Sequence, residues 1–140
     1  MDIIKILTKT NIQIIKLIDK EELHIRDIAD RLNISPGSVH ILIKKLKKEK
    51  LISEIKQKNR IIIKLKRDNP IIKEIKRLIN LNNIINSPAY KKLKKIGNIG
   101  IYGSFAEGTN DQESDLDVWL QTEKKEKKIR NIIRELEKDI

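Results

Sequence analysis

The chain has 140 residues, room for one ordinary domain or two very small ones, and 31 Lys and Arg against 20 Asp and Glu give it a formal net charge of +11. Apolar residues make up 39%, enough for a packed core, so global disorder is excluded. The absence of cysteine excludes a disulfide framework, a thiolate zinc site and a cysteine nucleophile, and no apolar run approaches the roughly 20 residues of a membrane-spanning helix. The start MDIIKILTKTN lacks the layout of a secretory signal, so the expected location is the cytoplasm, with no membrane partner.

In chain order, Thr10 reads as the cap of a helix to about Asp19, with Ile14, Ile15, Leu17 and Ile18 on its apolar side. A second helix covers about 25–32, with Ile25, Ile28, Ala29 and Leu32 on one face. The break Asn33-Ile34-Ser35 is short. Ser35-Pro36, Asn69-Pro70 and Ser87-Pro88 each pair a good capping residue with a proline, which suits the first helical position because its missing N–H is unpaired there anyway. Helices are therefore expected from about 36, 70 and 88. In the first, ending near Glu49, Val39, Leu42, Ile43 and Leu46 form the buried stripe. The period then changes. Leu51 to Ile55 and Ile61 to Leu65 alternate in part around the polar stretch 56–60, which reads as a β-hairpin with a basic tip. Residues 70–85 return to a helical pattern through Ile71, Ile72, Ile75, Leu78 and Ile79, and a short helix covers 88–95. Ile99 to Tyr102 and Leu116 to Leu120 read as strands. Residues 123–139 read as a charged amphipathic helix with Ile129, Ile132, Ile133 and Leu136 inward.

The charge is segregated. Residues 1–97 hold 24 basic and 10 acidic side chains, whereas residues 98–123 hold six acids and no Lys or Arg. A lysine-rich solvated surface accounts for much of the total, but not for this gap. Four of the five glycines fall between Gly97 and Gly108, and no aromatic residue occurs before Tyr90. The first 89 residues thus offer no ring for stacking a single-stranded base.

Residues 10–67 read helix, helix, tight turn, helix, hairpin. The segment LHIRDIADRLNISPGSVHILIKKLKKEKLI resembles the winged helix-turn-helix family of DNA-binding regulators. The resemblance implies duplex DNA as a partner. The third helix would leave Ser35, Gly37, Ser38, His40, Ile41, Lys44 and Lys45 outward, facing the major groove. Ser38 and His40 are candidates for base edges. Lys44, Lys45, Lys47 and Lys48 are candidates for phosphates, and Lys58 and Arg60 at the wing tip for backbone or minor groove. His40 reads equally well as a plain exposed side chain.

The segment IGIYGSFAEGTNDQESDLDVWL (99–120) resembles the minimal nucleotidyltransferases of the DNA polymerase beta superfamily. Their signature is a strand, a Gly-Ser turn into a helix, then Asp-x-Asp on the next strand. Here the turn is Gly103-Ser104 and the acids are Asp115 and Asp117, preceded by Ser114. Ala106-Glu107-Gly108 follows the turn, with Glu107 where the family often has a basic residue. Gly103 lets the backbone approach a phosphate, and Ser104 with nearby N–H groups can hold triphosphate oxygens. Acids two apart on a strand share a face, so Asp115 and Asp117 are the expected catalytic and metal-binding pair. Two Mg²⁺ ions about 4 Å apart would activate an acceptor hydroxyl and neutralise leaving pyrophosphate. Asp111 and Glu113 read as loop residues. The resemblance thus implies Mg²⁺ as cofactor and ATP or another nucleoside triphosphate as ligand or substrate. The family usually carries a third carboxylate on a strand after the 123–139 helix. The sequence stops at Ile140, so an incomplete domain is expected.

The expected fold class is α+β: a winged helix-turn-helix (1–68), a helical connector (69–95) and a small, truncated nucleotidyltransferase-like α/β domain (96–140). The combination resembles archaeal proteins that fuse these two modules. Three functions stay open: a metal-dependent nucleotidyltransferase acting on a protein or nucleic acid, a transcriptional regulator with an inactive nucleotidyltransferase domain, and an antitoxin-type protein with a toxin partner. A homodimer is compatible with each.

Overall fold

Thr8, not Thr10, starts the first long helix. In the computed structural model, which describes residues 2–140, Thr8 is extended and its side chain accepts from the Asn11 N–H. Thr10 falls two residues too late, inside helix α2 (Lys9–Lys20). A short helix α1 (Ile3–Ile6), capped by Asp2, precedes it. Its four residues are too few for a period to show.

The chain divides into two compact units, the first ending at Ile72 and the second starting at Lys73. The first contains β1 (Leu23–His24), α3 (Ile25–Leu32), α4 (Pro36–Lys48), β2 (Ile52–Gln57) and β3 (Arg60–Leu65). The turn between α3 and α4 works because Asn33 adopts the left-handed conformation, φ 53°, ending α3, and Ser35 caps α4. Ile14, Ile15 and Ile18 of α2, Ile28 and Ala29 of α3, and Val39, Ile43 and Leu46 of α4 are buried with Leu51, Ile52 and Ile63. Each fully buried side chain of this size stabilises by about 1.5–3 kcal/mol.

The three strands are antiparallel in the order β1-β3-β2. The hairpin is longer than its alternation suggests. Lys56 pairs with Ile61 and Gln57 with Arg60, leaving only Lys58 and Asn59 in the turn. Side chains 55–61 are all exposed, so backbone pairing continues where burial leaves no trace. Strand β1 has only two residues, too few for any alternation to show. It is held by Leu23↔Ile63 and by a 2.9 Å contact between His24 Nδ1 and the Ile61 carbonyl.

Helix α5 (Pro70–Asn86) begins on the Asn69 side chain, whose Oδ1 accepts from the Ile71 and Ile72 N–H groups. From Lys73 onward its residues belong to the second unit, with α6 (Pro88–Ile96), β4 (Asn98–Tyr102), α7 (Gly103–Glu107), β5 (Asp117–Gln121) and α8 (Glu126–Asp139). Ile84, Ala89, Leu93, Leu116 and Leu136 form its buried core, with Ile99, Ile101, Val118, Leu120, Ile129, Ile132 and Ile133 packed around them. Helices α6 and α8 are tied across their ends. Ser87 caps α6 and donates to Asp139 at 2.6 Å, and Lys92 pairs with Glu135 at 2.7 Å. Leu78, expected inward, is exposed. Lys76 occupies the buried stripe instead. Among the described residues, no helix is long and apolar enough to cross a membrane.

Candidate functional site

In the first unit, α4 buries one stripe and turns the other outward. Ser35, Ser38, His40, Ile41, Lys44, Lys45 and Lys48 are all exposed, as are Lys58 and Arg60 beside the hairpin turn. Ser35 is committed as the cap. Its Oγ accepts from the Ser38 N–H at 3.1 Å and lies 2.8 Å from Ser38 Oγ, so the two hydroxyls form one pair at the helix start. Lys47 forms an ion pair with Glu54 of β2. Lys44, Lys45 and Lys48 form no ion pair with a described residue. A helix with a basic outer face, followed by a hairpin with a basic tip, matches a major groove about 12 Å wide with phosphates on its rims.

In the second unit, β4 and β5 are antiparallel and Tyr102↔Asp117 is the last pair of their ladder. Gly103 follows at φ +68°. A Cβ there would overlap the Asp117 carboxylate, so glycine is required both for the left-handed turn and for the close approach. The carboxylate of Asp117 therefore rests against the backbone of the Gly103-Ser104 turn. The Ser104 carbonyl accepts from the N–H groups of Gly108, Thr109 and Asn110, which curls the following loop back onto the turn. The Ser104 hydroxyl makes no hydrogen bond to a described residue.

The two acids are not both on the strand. Only Asp117 is in β5; Asp115 lies just before it and is exposed. Strand β4 ends at Tyr102, so no backbone partner remains for Asp115. Leu116 between the acids is buried, as alternation requires. Asp111 and Ser114 close a turn of their own. The Asp111 N–H donates to Ser114 Oγ at 2.9 Å, and that hydroxyl donates to Asp111 Oδ1 at 3.0 Å.

Two segments of the chain match known families. Residues 7–53 match the family model "winged helix-turn-helix DNA-binding", and residues 87–140 match the "nucleotidyltransferase domain" model. The chain joins a winged helix-turn-helix DNA-binding domain to a nucleotidyltransferase domain. No curated protein and no solved structure matches it.

The nucleotidyltransferase domain has anchors that sequence reasoning missed. Lys76 of α5 is only 3% exposed, and its Nζ donates to the Asn110 carbonyl. Asn80, one turn later, donates to the Phe105 carbonyl at 3.0 Å and to Asn110 Oδ1 at 2.8 Å. Helix α5 thus holds both ends of the 105–110 loop. A lysine within the Ile72, Ile75, Ile79 stripe was the available signal. At Gly108, φ +71°, a Cβ would collide with the Lys73 carbonyl, so the loop also lies directly on α5.

Among the described residues, no group of three or more His, Cys, Asp or Glu side chains gathers as a metal site. Asp115 and Asp117 supply two carboxylates. Mg²⁺ is commonly bound by one or two carboxylates, with waters and phosphate oxygens completing six positions. The donor set therefore fits Mg²⁺ arriving with a polyphosphate and does not form a closed protein cage.

Proposed function

We propose that the nucleotidyltransferase domain binds a magnesium nucleoside triphosphate at Gly103, Ser104, Asp115 and Asp117, while α4 and the wing hold the protein on duplex DNA. The observation that carries this reading is the packing of the Asp117 carboxylate against the left-handed Gly103 turn, beside an uncommitted Ser104 hydroxyl. It supports the reading because a carboxylate oxygen able to bind a cation lies against a turn whose backbone phosphate oxygens could approach. Helix α7 has five residues and a correspondingly small dipole, so the turn and the serine, more than the helix end, hold the phosphates.

Nucleotide transfer follows from this arrangement when an acceptor hydroxyl enters beside Asp117. The hydroxyl would lose its proton to solvent water as its oxygen bonds to the α-phosphorus, the bond from that phosphorus to the bridging oxygen of the β-phosphate would break, and pyrophosphate would leave. Mg²⁺ held by Asp115 and Asp117 would neutralise phosphate charge and acidify the acceptor hydroxyl. Asp115 and Asp117 hold the cation, Ser104 donates to a phosphate oxygen, and Gly103 admits the phosphate by lacking a side chain. The 98–123 stretch has no Lys or Arg to duplicate the cation's charge.

A second reading is favoured by one observation. The described residues place no third carboxylate with Asp115 and Asp117, which suits a DNA-bound regulator that senses the nucleotide without turnover. The test is incubation with Mg²⁺ and ATP labelled in the α-phosphate, with and without cell extract. Label transfer to a protein or nucleic acid, lost on substituting both acids, supports catalysis, and a labelled protein identifies an acceptor such as a toxin partner. Nucleotide binding without transfer supports the regulator.

A further inference from the structure

The ladder puts four residues on one face of the β4–β5 sheet: Gly100 opposite Trp119, and Tyr102 opposite Asp117. The other face, with Ile99, Ile101, Val118 and Leu120, is packed on the core. Trp119 is the sole tryptophan of the chain, and it is 51% exposed although it is the largest apolar side chain available to bury. Its indole lies over Gly100. A Cβ at that position would overlap the indole Cε2, Nε1 and Cζ2 atoms. The missing side chain at 100 therefore seats the ring on the sheet and leaves its outer side open. Tyr102, 54% exposed, is its diagonal neighbour across the ladder.

We propose that Trp119 is the stacking platform for the base of the bound nucleoside triphosphate. The inference rests on the nucleotide reading above and assigns the base end of that site. Asp117 and Trp119 are two residues apart on one strand, so their Cα atoms are about 7 Å apart along the same face. A ribose bridges a comparable distance between an α-phosphate and its base. With phosphates at Gly103-Ser104 and the cation at Asp117, the sugar runs along the strand away from the turn and the base arrives over the indole. Aromatic stacking of a base tolerates any base because each has a π-face. The platform accordingly sets nucleoside binding without choosing between purines by hydrogen bonds. A second copy of the chain or a peptide would not need a ring seated two residues from the carboxylate.

The experiment compares Mg-ATP with Mg-tripolyphosphate, which has the phosphates and no base, on the full chain by calorimetry. Trp119 emission is followed in the same titrations, excited at the red edge where Tyr90 and Tyr102 do not absorb, so that the sole indole is the only emitter. The expected results are about tenfold tighter binding of ATP than of tripolyphosphate, and saturable quenching by ATP alone. Trp119→Ala should abolish the difference by weakening ATP alone, and Trp119→Phe should keep most of it. A structural role for the indole would weaken both ligands equally and would overturn the inference. Equal affinities of the two ligands for the unmodified chain, with unchanged emission, would also overturn it while leaving the phosphate site standing. Binding of neither ligand would overturn both the inference and the nucleotide reading.

Discussion

At the scale of single residues, Gly103 carries the most. It stands where the chain must turn left-handed and where the Asp117 carboxylate fills the space a side chain would occupy. Gly103→Ala faces both penalties. The backbone strain alone costs about 1–3 kcal/mol, and the new methyl displaces the carboxylate. The expected outcome is a melting temperature lowered by several degrees in thermal circular dichroism and Mg-ATP affinity reduced at least tenfold by calorimetry. The sequence pattern marked Gly103, Ser104 and Asp117 because a strand, a glycine turn and an acid-leucine-acid spacing are local features. It did not mark Lys76, Asn80 or Asn110. Their role depends on α5 meeting a loop some 30 positions later in the chain, as in the Asn80–Asn110 hydrogen bond. It also put Asp115 on a strand whose partner ends two pairs too early.

At the scale of elements, α4 and the wing are the parts proposed to meet DNA. The helix start presents the Ser35–Ser38 pair and His40, the helix end presents Lys44, Lys45 and Lys48, and the hairpin turn presents Lys58 between Gln57 and Arg60. Each phosphate neutralised contributes roughly 0.9 to the slope of log affinity against log salt. Lys44→Ala with Lys45→Ala should therefore flatten that slope by nearly two units. The lysines are exposed and leave the core intact, so the melting temperature should stay unchanged. A fluorescence-anisotropy titration of duplex DNA at several salt concentrations checks this. Helix boundaries with proline or serine caps were legible to within a residue or so, because Ser35-Pro36 and Ser87-Pro88 encode their own starts. The hairpin ends were not, because exposed strand residues carry no hydrophobic alternation, and β1 was not, because two residues are too few to show one.

At the scale of the whole molecule, the net charge of +11 separates into two surfaces of different chemistry. The basic 1–97 stretch contains the winged helix, and the Lys/Arg-free 98–123 stretch contains the turn, the acids and the indole. The central claim is that Asp115 and Asp117 hold a cation and its nucleotide in the nucleotidyltransferase domain while DNA binding belongs to the other domain. Mg-ATP affinity of the Asp115→Asn, Asp117→Asn double variant tests it most directly, with duplex-DNA affinity measured on the same sample. Mg-ATP affinity should fall at least tenfold while DNA affinity stays unchanged. Unchanged Mg-ATP affinity in the double variant would contradict the claim.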